Sequence, residues 1–98
     1  MHEAKATRKV TVANREGVHA RAATMIATLA RRFRARVELI KGHHRVDATD
    51  VLQVLSLGAE EGTQLVLEAS GDDAESALDA LEALFRNKFD EEHKTDGQ

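Results

Sequence analysis

The chain has 98 residues, with no cysteine, no proline, 42% hydrophobic and 32% charged residues, and a formal charge of −3 at pH 7. That length holds one small domain with a single core. The lack of cysteine excludes disulfides, thiolate metal sites and cysteine nucleophiles. The net charge argues against general nucleic-acid binding. The N-terminal MHEAKATRK has no apolar run of the signal-peptide kind, and no apolar stretch is long enough to span a bilayer. A cytoplasmic protein without membrane insertion is expected.

Lys9 to Ala13 reads as a strand with Val10 and Val12 on one face, and Asn14-Arg15-Glu16-Gly17 breaks it. From Ala20 to Arg34 the apolar positions Ala22, Met25, Ile26, Leu29, Ala30 and Phe33 recur three and four apart, which predicts an amphipathic helix. Arg31, Arg32 and Arg34 crowd its last turn, where positive charge suits the helix dipole. Arg36 to Ile40 reads as a second strand, Lys41-Gly42 as a turn and His44 to Asp47 as a third strand, together a hairpin. Thr49 or Asp50 can cap a short helix carrying Val51, Leu52, Val54, Leu55 and Leu57, with Gly58 as its C′ residue. Gln64 to Ala69 is a fourth strand. Gly71-Asp72-Asp73 opens a third helix with Ala74, Ala77, Leu78, Leu81, Leu84 and Phe85 at helical spacing. The polar segment 90–98 is expected to be a disordered tail after a single domain spanning 1–89. The order β-α-β-β-α-β-α predicts a two-layer α+β sandwich, with helices on one sheet face and solvent on the other.

Gly17-Val18-His19-Ala20-Arg21 holds the chemistry. A helix start offers amide N–H groups without intrahelical partners and the positive end of the dipole, so an anion is favoured there. His19 can be a nucleophile through a neutral ring nitrogen. Arg21 supplies a fixed positive charge suited to phosphoryl oxygens. A lone histidine is more often structural, and it is the company of Gly17 and Arg21 that favours a function. His43 and His44 are adjacent, so on a strand they face opposite ways, and no third metal ligand is marked by spacing. The Arg31, Arg32, Arg34, Arg36 cluster lacks Tyr or Trp to stack on bases. The acidic stretches Glu60-Glu61, Asp72-Asp73 and Asp90-Glu91-Glu92 are paired with no recognisable cleft or base and are read as loop solvation and helix N-terminal charge. No Ser-His-Asp order, phosphate-binding glycine loop or nucleotide fingerprint is present.

These residues resemble the HPr family, the histidine phosphocarriers of the bacterial phosphoenolpyruvate-dependent phosphotransferase system. The family pattern Gly-hydrophobic-His-x-Arg-Pro-Ala stands here as Gly17-Val18-His19-Ala20-Arg21-Ala22-Ala23. Val51-Leu52-Gln53-Val54-Leu55-Ser56-Leu57-Gly58 is similar to the family's second short helix, and Glu61-Gly62-Thr63 and Gly71-Asp72-Asp73 match further features. The likeness runs from about Lys9 to Phe89. Residues 83–91, ALFRNKFDE, resemble the end of the nitrogen-branch relatives, which serve a regulatory phosphorelay instead of sugar uptake.

The resemblance implies an open-faced β-sandwich in the order βαββαβα, a four-stranded antiparallel sheet under three helices. It implies that His19 accepts a phosphoryl group on Nδ1 from phosphorylated Enzyme I and passes it to a histidine of an EIIA-type acceptor. Arg21 would neutralise the phosphoryl charge, the Ala20 and Arg21 amides would bind its oxygens, and Gly17 would permit the tight path into the site. Neither metal nor cofactor is needed, and the protein would be a monomeric carrier rather than a stand-alone enzyme. Partners would dock on Met25, Val51, Leu52 and Leu55, flanked by Arg31. Two departures stand out. Ala22 replaces the proline that would preset the first helical turn. Asp50 occupies the place of a regulatory serine, where it cannot be phosphorylated by a serine kinase and is suited to capping the helix. The competing reading is a non-transferring regulatory relative that keeps the fold and binds partner proteins.

Overall fold

The computed structural model describes residues 5–91. Strands β1 (Lys5–Thr11), β2 (Arg36–Lys41), β3 (His44–Asp47) and β4 (Gln64–Ser70) form one antiparallel sheet in the order β1-β4-β2-β3. Helices α1 (Ala20–Ala30), α2 (Val51–Ser56) and α3 (Ala74–Arg86) cover one face of it. The period-2 pattern sets the inner face: Val10, Val37, Leu39, Val46, Leu65, Leu67 and Ala69 are buried. Val10 lies opposite Leu65, and Leu39 opposite Leu67. The two-layer α+β architecture expected from the sequence is the one observed.

The buried stripe of α1 is Ala22, Ala23, Ile26, Ala27 and Ala30. Four alanines and one isoleucine let the helix approach its neighbours closely. The Met25, Leu29 and Phe33 named by the periodicity lie at the edge of that stripe, half-buried. On α3 the buried stripe is Ala74, Ala77, Leu78, Leu81 and Phe85.

Strand ends shift by one or two residues, and two predicted boundaries differ by more. Strand β1 begins at Lys5, because Lys5 through Arg8 pair with Ser70 through Leu67 of β4. Arg8 stands on the helix side of this edge strand and donates to Asp79 at 3.0 Å, Glu82 at 2.6 Å and Glu75 at 3.0 Å, three carboxylates on one face of α3. The hydrogen bonds to Glu82 and Asp79 hold the guanidinium pKa above its ordinary value, and the arginine charge that docks α3 onto the sheet edge is permanent in any case.

Helix α1 stops at Ala30 rather than Arg34. The Arg32 and Phe33 amides turn to carbonyls only three residues back, Leu29 and Ala30, which tightens the helix end. The Arg34 and Ala35 amides leave the helix altogether and donate to the Asp73 carboxylate at 3.0 and 2.8 Å. Asp73 is the N-cap residue of α3 but makes no side-chain cap bond there. Its carboxylate joins the end of α1 to the start of α3 instead.

On the open face, Glu38 and Glu68 sit directly opposite one another, an unfavourable pair. Arg45 bridges them at 2.7 and 3.0 Å, and Lys5 adds a contact to Glu68 at 3.5 Å. Partial burial works against the Glu68 charge, but the Arg45 hydrogen bond and the two cations hold its carboxyl below the usual range.

The backbone hydrogen bonds from Arg34 and Ala35 lower the Asp73 pKa. A carboxyl lowered on folding stabilises the protein above its unfolded pKa, and that contribution is lost as pH falls through the lower folded value. Asp73→Asn is therefore expected to lower the urea midpoint at neutral pH. The gap to the unaltered protein should close in acid, below the carboxylate range.

Candidate functional site around His19

The segment between β1 and α1 is pinned at several points. Val12 donates to the Thr63 carbonyl at 2.9 Å, and Val18 to the Ala59 carbonyl at 2.8 Å. Gly17 turns the chain with φ +71, and a Cβ on it would lie 2.7 Å from the Ala59 carbonyl oxygen. A side chain is thus excluded twice, by backbone conformation and by contact. Asn14 is fully buried beneath this turn, donating from Nδ2 to the Gly17 carbonyl at 2.8 Å.

The pinned turn delivers His19 as the N-cap of α1, in extended conformation. Its Nδ1 accepts from the Arg21 amide at 3.2 Å, replacing the oxygen that usually caps a helix. The ring keeps 35% of its surface exposed, enough for an incoming group. Its other nitrogen, Nε2, contacts the Glu91 carboxylate. Arg21 reaches the Phe89 carbonyl from Nη1 at 2.9 Å and lies 3.4 Å from Glu91 Oε2, with half its side chain in solvent.

Phe89 and Glu91 arrive through a local left-handed turn. Lys88, Phe89 and Asp90 have φ of 56, 55 and 61. Such conformations cost about 1–2 kcal/mol for each residue with a Cβ. Burial of the Phe89 ring opposes that cost. It is fully buried, with its centroid 5.0 Å from that of Phe85 in an edge-to-face arrangement. Asp90 and Glu91, assigned by sequence to a disordered tail, belong to this folded turn. Residues 92–98 lie outside the described residues.

The structure brings together Gly17, His19, Ala20 and Arg21, all at the start of α1. Met25 lies one turn further along that helix, half-buried. Helix α2 packs beside α1. It exposes Leu52, at 77% of its surface, with Val51 and Leu55 half-buried on its flanks. Arg31 donates to the Thr49 carbonyl through Nε at 3.1 Å and Nη2 at 2.7 Å, tying the end of α1 to the start of α2. Asp50 caps α2, accepting from the Gln53 amide at 3.1 Å. Gly58 follows the helix with φ +57, as its C′ position requires. His43 and His44 are exposed at the β2–β3 turn. Among the described residues no cluster of three His, Cys, Asp or Glu side chains could hold a metal ion, and no helix is long and apolar enough to cross a membrane.

Sequence reasoning missed Asn14, Phe89 and Glu91. Asn14 read as a strand breaker, and nothing in one sequence distinguishes a buried asparagine from a turn asparagine. The likeness of residues 83–91 to the nitrogen-branch ending was the one available signal for Phe89 and Glu91.

The family model "PTS HPr component phosphorylation site" matches residues 6–87. The phosphocarrier protein NPr of Shewanella violacea is 44% identical over 87 residues, covering 89% of this chain and 96% of that protein. The phosphocarrier protein HPr of Treponema pallidum is 43% identical over 83 residues, covering 85% and 94%. The crystal structure of HPr-C-His from Thermoanaerobacter tengcongensis superposes with a TM-score of 0.85 at 33% identity, covering 89% of this chain and 98% of that one. The four-stranded antiparallel sheet under three helices is thus matched by solved structures of this kind. The chain belongs to the HPr family of phosphotransferase-system phosphocarriers.

Gly17→Ala is expected to destabilise the protein by at least about 1–2 kcal/mol, the left-handed term alone. The carbonyl contact adds to this. Urea denaturation followed by far-UV circular dichroism measures it.

Proposed function

We propose that His19 accepts a phosphoryl group on Nδ1 from phosphorylated Enzyme I and passes it to a histidine of an EIIA-type acceptor, the protein acting as a monomer. The observation carrying this reading is the Nδ1 contact with the Arg21 amide at the α1 N-terminus, on a ring open to solvent. A nitrogen that accepts from an amide bears an available lone pair. As the new N–P bond forms at Nδ1, the bond from phosphorus to the donor nitrogen breaks and its electron pair stays with the donor. The Arg21 amide then loses its ring acceptor and turns to a phosphoryl oxygen at the same helix terminus. The Arg21 guanidinium, which in this structure holds the Phe89 carbonyl, turns to the same anion. Transfer of this kind depends on positioning and charge stabilisation more than on further covalent chemistry.

Partners dock, in this reading, across the start of α1 and the outer side of α2. Leu52, exposed to 77%, is the apolar residue that such a partner would cover. Met25, Val51 and Leu55 extend the apolar surface, and Arg31 gives it a basic border suited to acidic partners. Asp50 serves as a permanent helix cap where a serine would be open to modification.

Phosphoenolpyruvate and a bacterial Enzyme I are expected to add one acid-labile phosphoryl group to the protein and none to His19→Ala, read by intact mass. Arg21→Ala should slow labelling on the order of 10²-fold, as loss of a charge-stabilising group does. Labelling of His19→Ala to the same extent, or none of the unaltered protein with several Enzyme I sources, would overturn the assignment. Leu52→Asp should keep the fold by circular dichroism and raise the KM of Enzyme I for this protein by about tenfold, the cost of losing one central apolar anchor.

A further inference from the structure

Glu91 stands outside the motif that marks the site, yet its carboxylate touches three of the site's residues. We propose that Glu91 is a positioning residue, holding the His19 ring in the tautomer with its proton on Nε2 so that the Nδ1 lone pair faces the helix start. This rests on the phosphocarrier reading above.

The two ring nitrogens meet partners of opposite kind. An amide N–H can only donate, so the Arg21 amide requires Nδ1 to be unprotonated. An ionised carboxylate can only accept, so Glu91 on Nε2 requires a proton there. Each partner alone favours the same tautomer, and together they fix the ring plane as well.

The carboxylate is itself held. Its Oε1 accepts from Asn14 Nδ2 at 2.9 Å, and the Glu91 side chain keeps only 12% of its surface exposed. Asn14 is fully buried and spans from Glu91 to the Gly17 carbonyl, so the group orienting His19 is tied to the turn that carries His19. With Nδ2 donating to two oxygens, the amide orientation of Asn14 is set by its partners. The buried Phe89 anchors the turn that brings Glu91 to the ring. Arg15, Glu16 and Glu61 line a polar recess with Glu91.

The same arrangement serves the transfer step. When Nδ1 bonds to phosphorus and Nε2 keeps its proton, the ring becomes formally cationic. A fixed carboxylate on Nε2–H is then worth more than in the ground state, which is the condition for lowering a barrier. Neither His19 nor Glu91 needs to lose or gain a proton. Arg21 lies beside both groups, so its move toward the phosphoryl group leaves the carboxylate to the imidazole.

Glu91→Gln and Glu91→Leu separate orientation from charge, on the full 98-residue chain. The His19 tautomer is read from long-range proton–nitrogen correlations of the imidazole, at a pH above its titration. In the unaltered protein the Nε2–H form should be the single species. Glu91→Gln keeps an acceptor oxygen, so it should keep the tautomer and label severalfold more slowly with phosphoenolpyruvate and Enzyme I. Glu91→Leu has no acceptor and leaves the Arg21 amide as the one group favouring that form, so a minor Nδ1–H tautomer should become detectable and labelling should slow on the order of tenfold. A Glu91→Leu protein with unchanged tautomer and rate would overturn the proposal. Should that variant fail to fold, Glu91→Gln at the unaltered rate would do the same. If the unaltered protein is not labelled, the phosphocarrier reading fails instead, and the tautomer comparison still decides the role of Glu91.

Discussion

The first turn of α1 has amide groups that no helical carbonyl can satisfy, and the imidazole of His19 takes one of them. Much of the surrounding structure serves to make that contact possible. Gly17 adopts a conformation that a side chain would forbid, Val18 is fastened to Ala59, and Asn14 fills the space beneath the turn. In the proposed transfer the cap is also the nucleophile. An oxygen cap would hold the helix start equally well, but it would not present a ring nitrogen lone pair at the positive end of a dipole. Capping of the helix and presentation of that lone pair therefore share one hydrogen bond.

That shared duty explains how the chain tolerates Ala22 where the family has proline. Proline would preset the backbone at the first turn. Here the turn is set from outside the helix, by the Val18–Ala59 hydrogen bond and by the His19 cap. Alanine is the best helix former and is fully buried at this position, so it adds close packing in place of rigidity. The run of small residues Ala22, Ala23, Ala27 and Ala30 places α1 near the core while leaving Met25 and Leu29 at its margin. Helix α2 buries Val54, and its C-cap Leu57 is buried beside it, while Leu52 on the outer side stays in solvent.

The C-terminal turn shows strain and burial in opposition. Three consecutive left-handed residues with side chains would not persist in an isolated peptide. Phe89 makes them tolerable by filling a core position against Phe85, and the Phe89 carbonyl receives Arg21. The result is a strap from the end of α3 to the start of α1, elements joined only through space. The Arg8 cluster on the other side of α3 holds the same helix against the sheet edge. The strap thus starts from a helix fixed on two sides.

Hydrophobic periodicity made the strands, the helices and their order legible, because the pattern of 2 and the pattern of 3.6 each report which side chains turn inward. The Gly17-Val18-His19-Ala20-Arg21 motif was legible for a related reason: a helix start and its capping residues are local, so the chemistry they support is local too. What the sequence could not show was set by contacts between distant segments. The end of α1 was misplaced because the Arg34 and Ala35 amides find their acceptor on Asp73, almost forty residues away. Asn14 read as a turn residue because its burial depends on what folds over it. Glu91 read as tail because its place beside His19 follows from a left-handed turn that only a buried phenylalanine stabilises. Local patterning determined the fold and the histidine at the helix start; the tertiary structure alone decided which distant groups hold that histidine, since hydrogen-bond partners 72 and 77 residues apart leave no periodic trace in the chain.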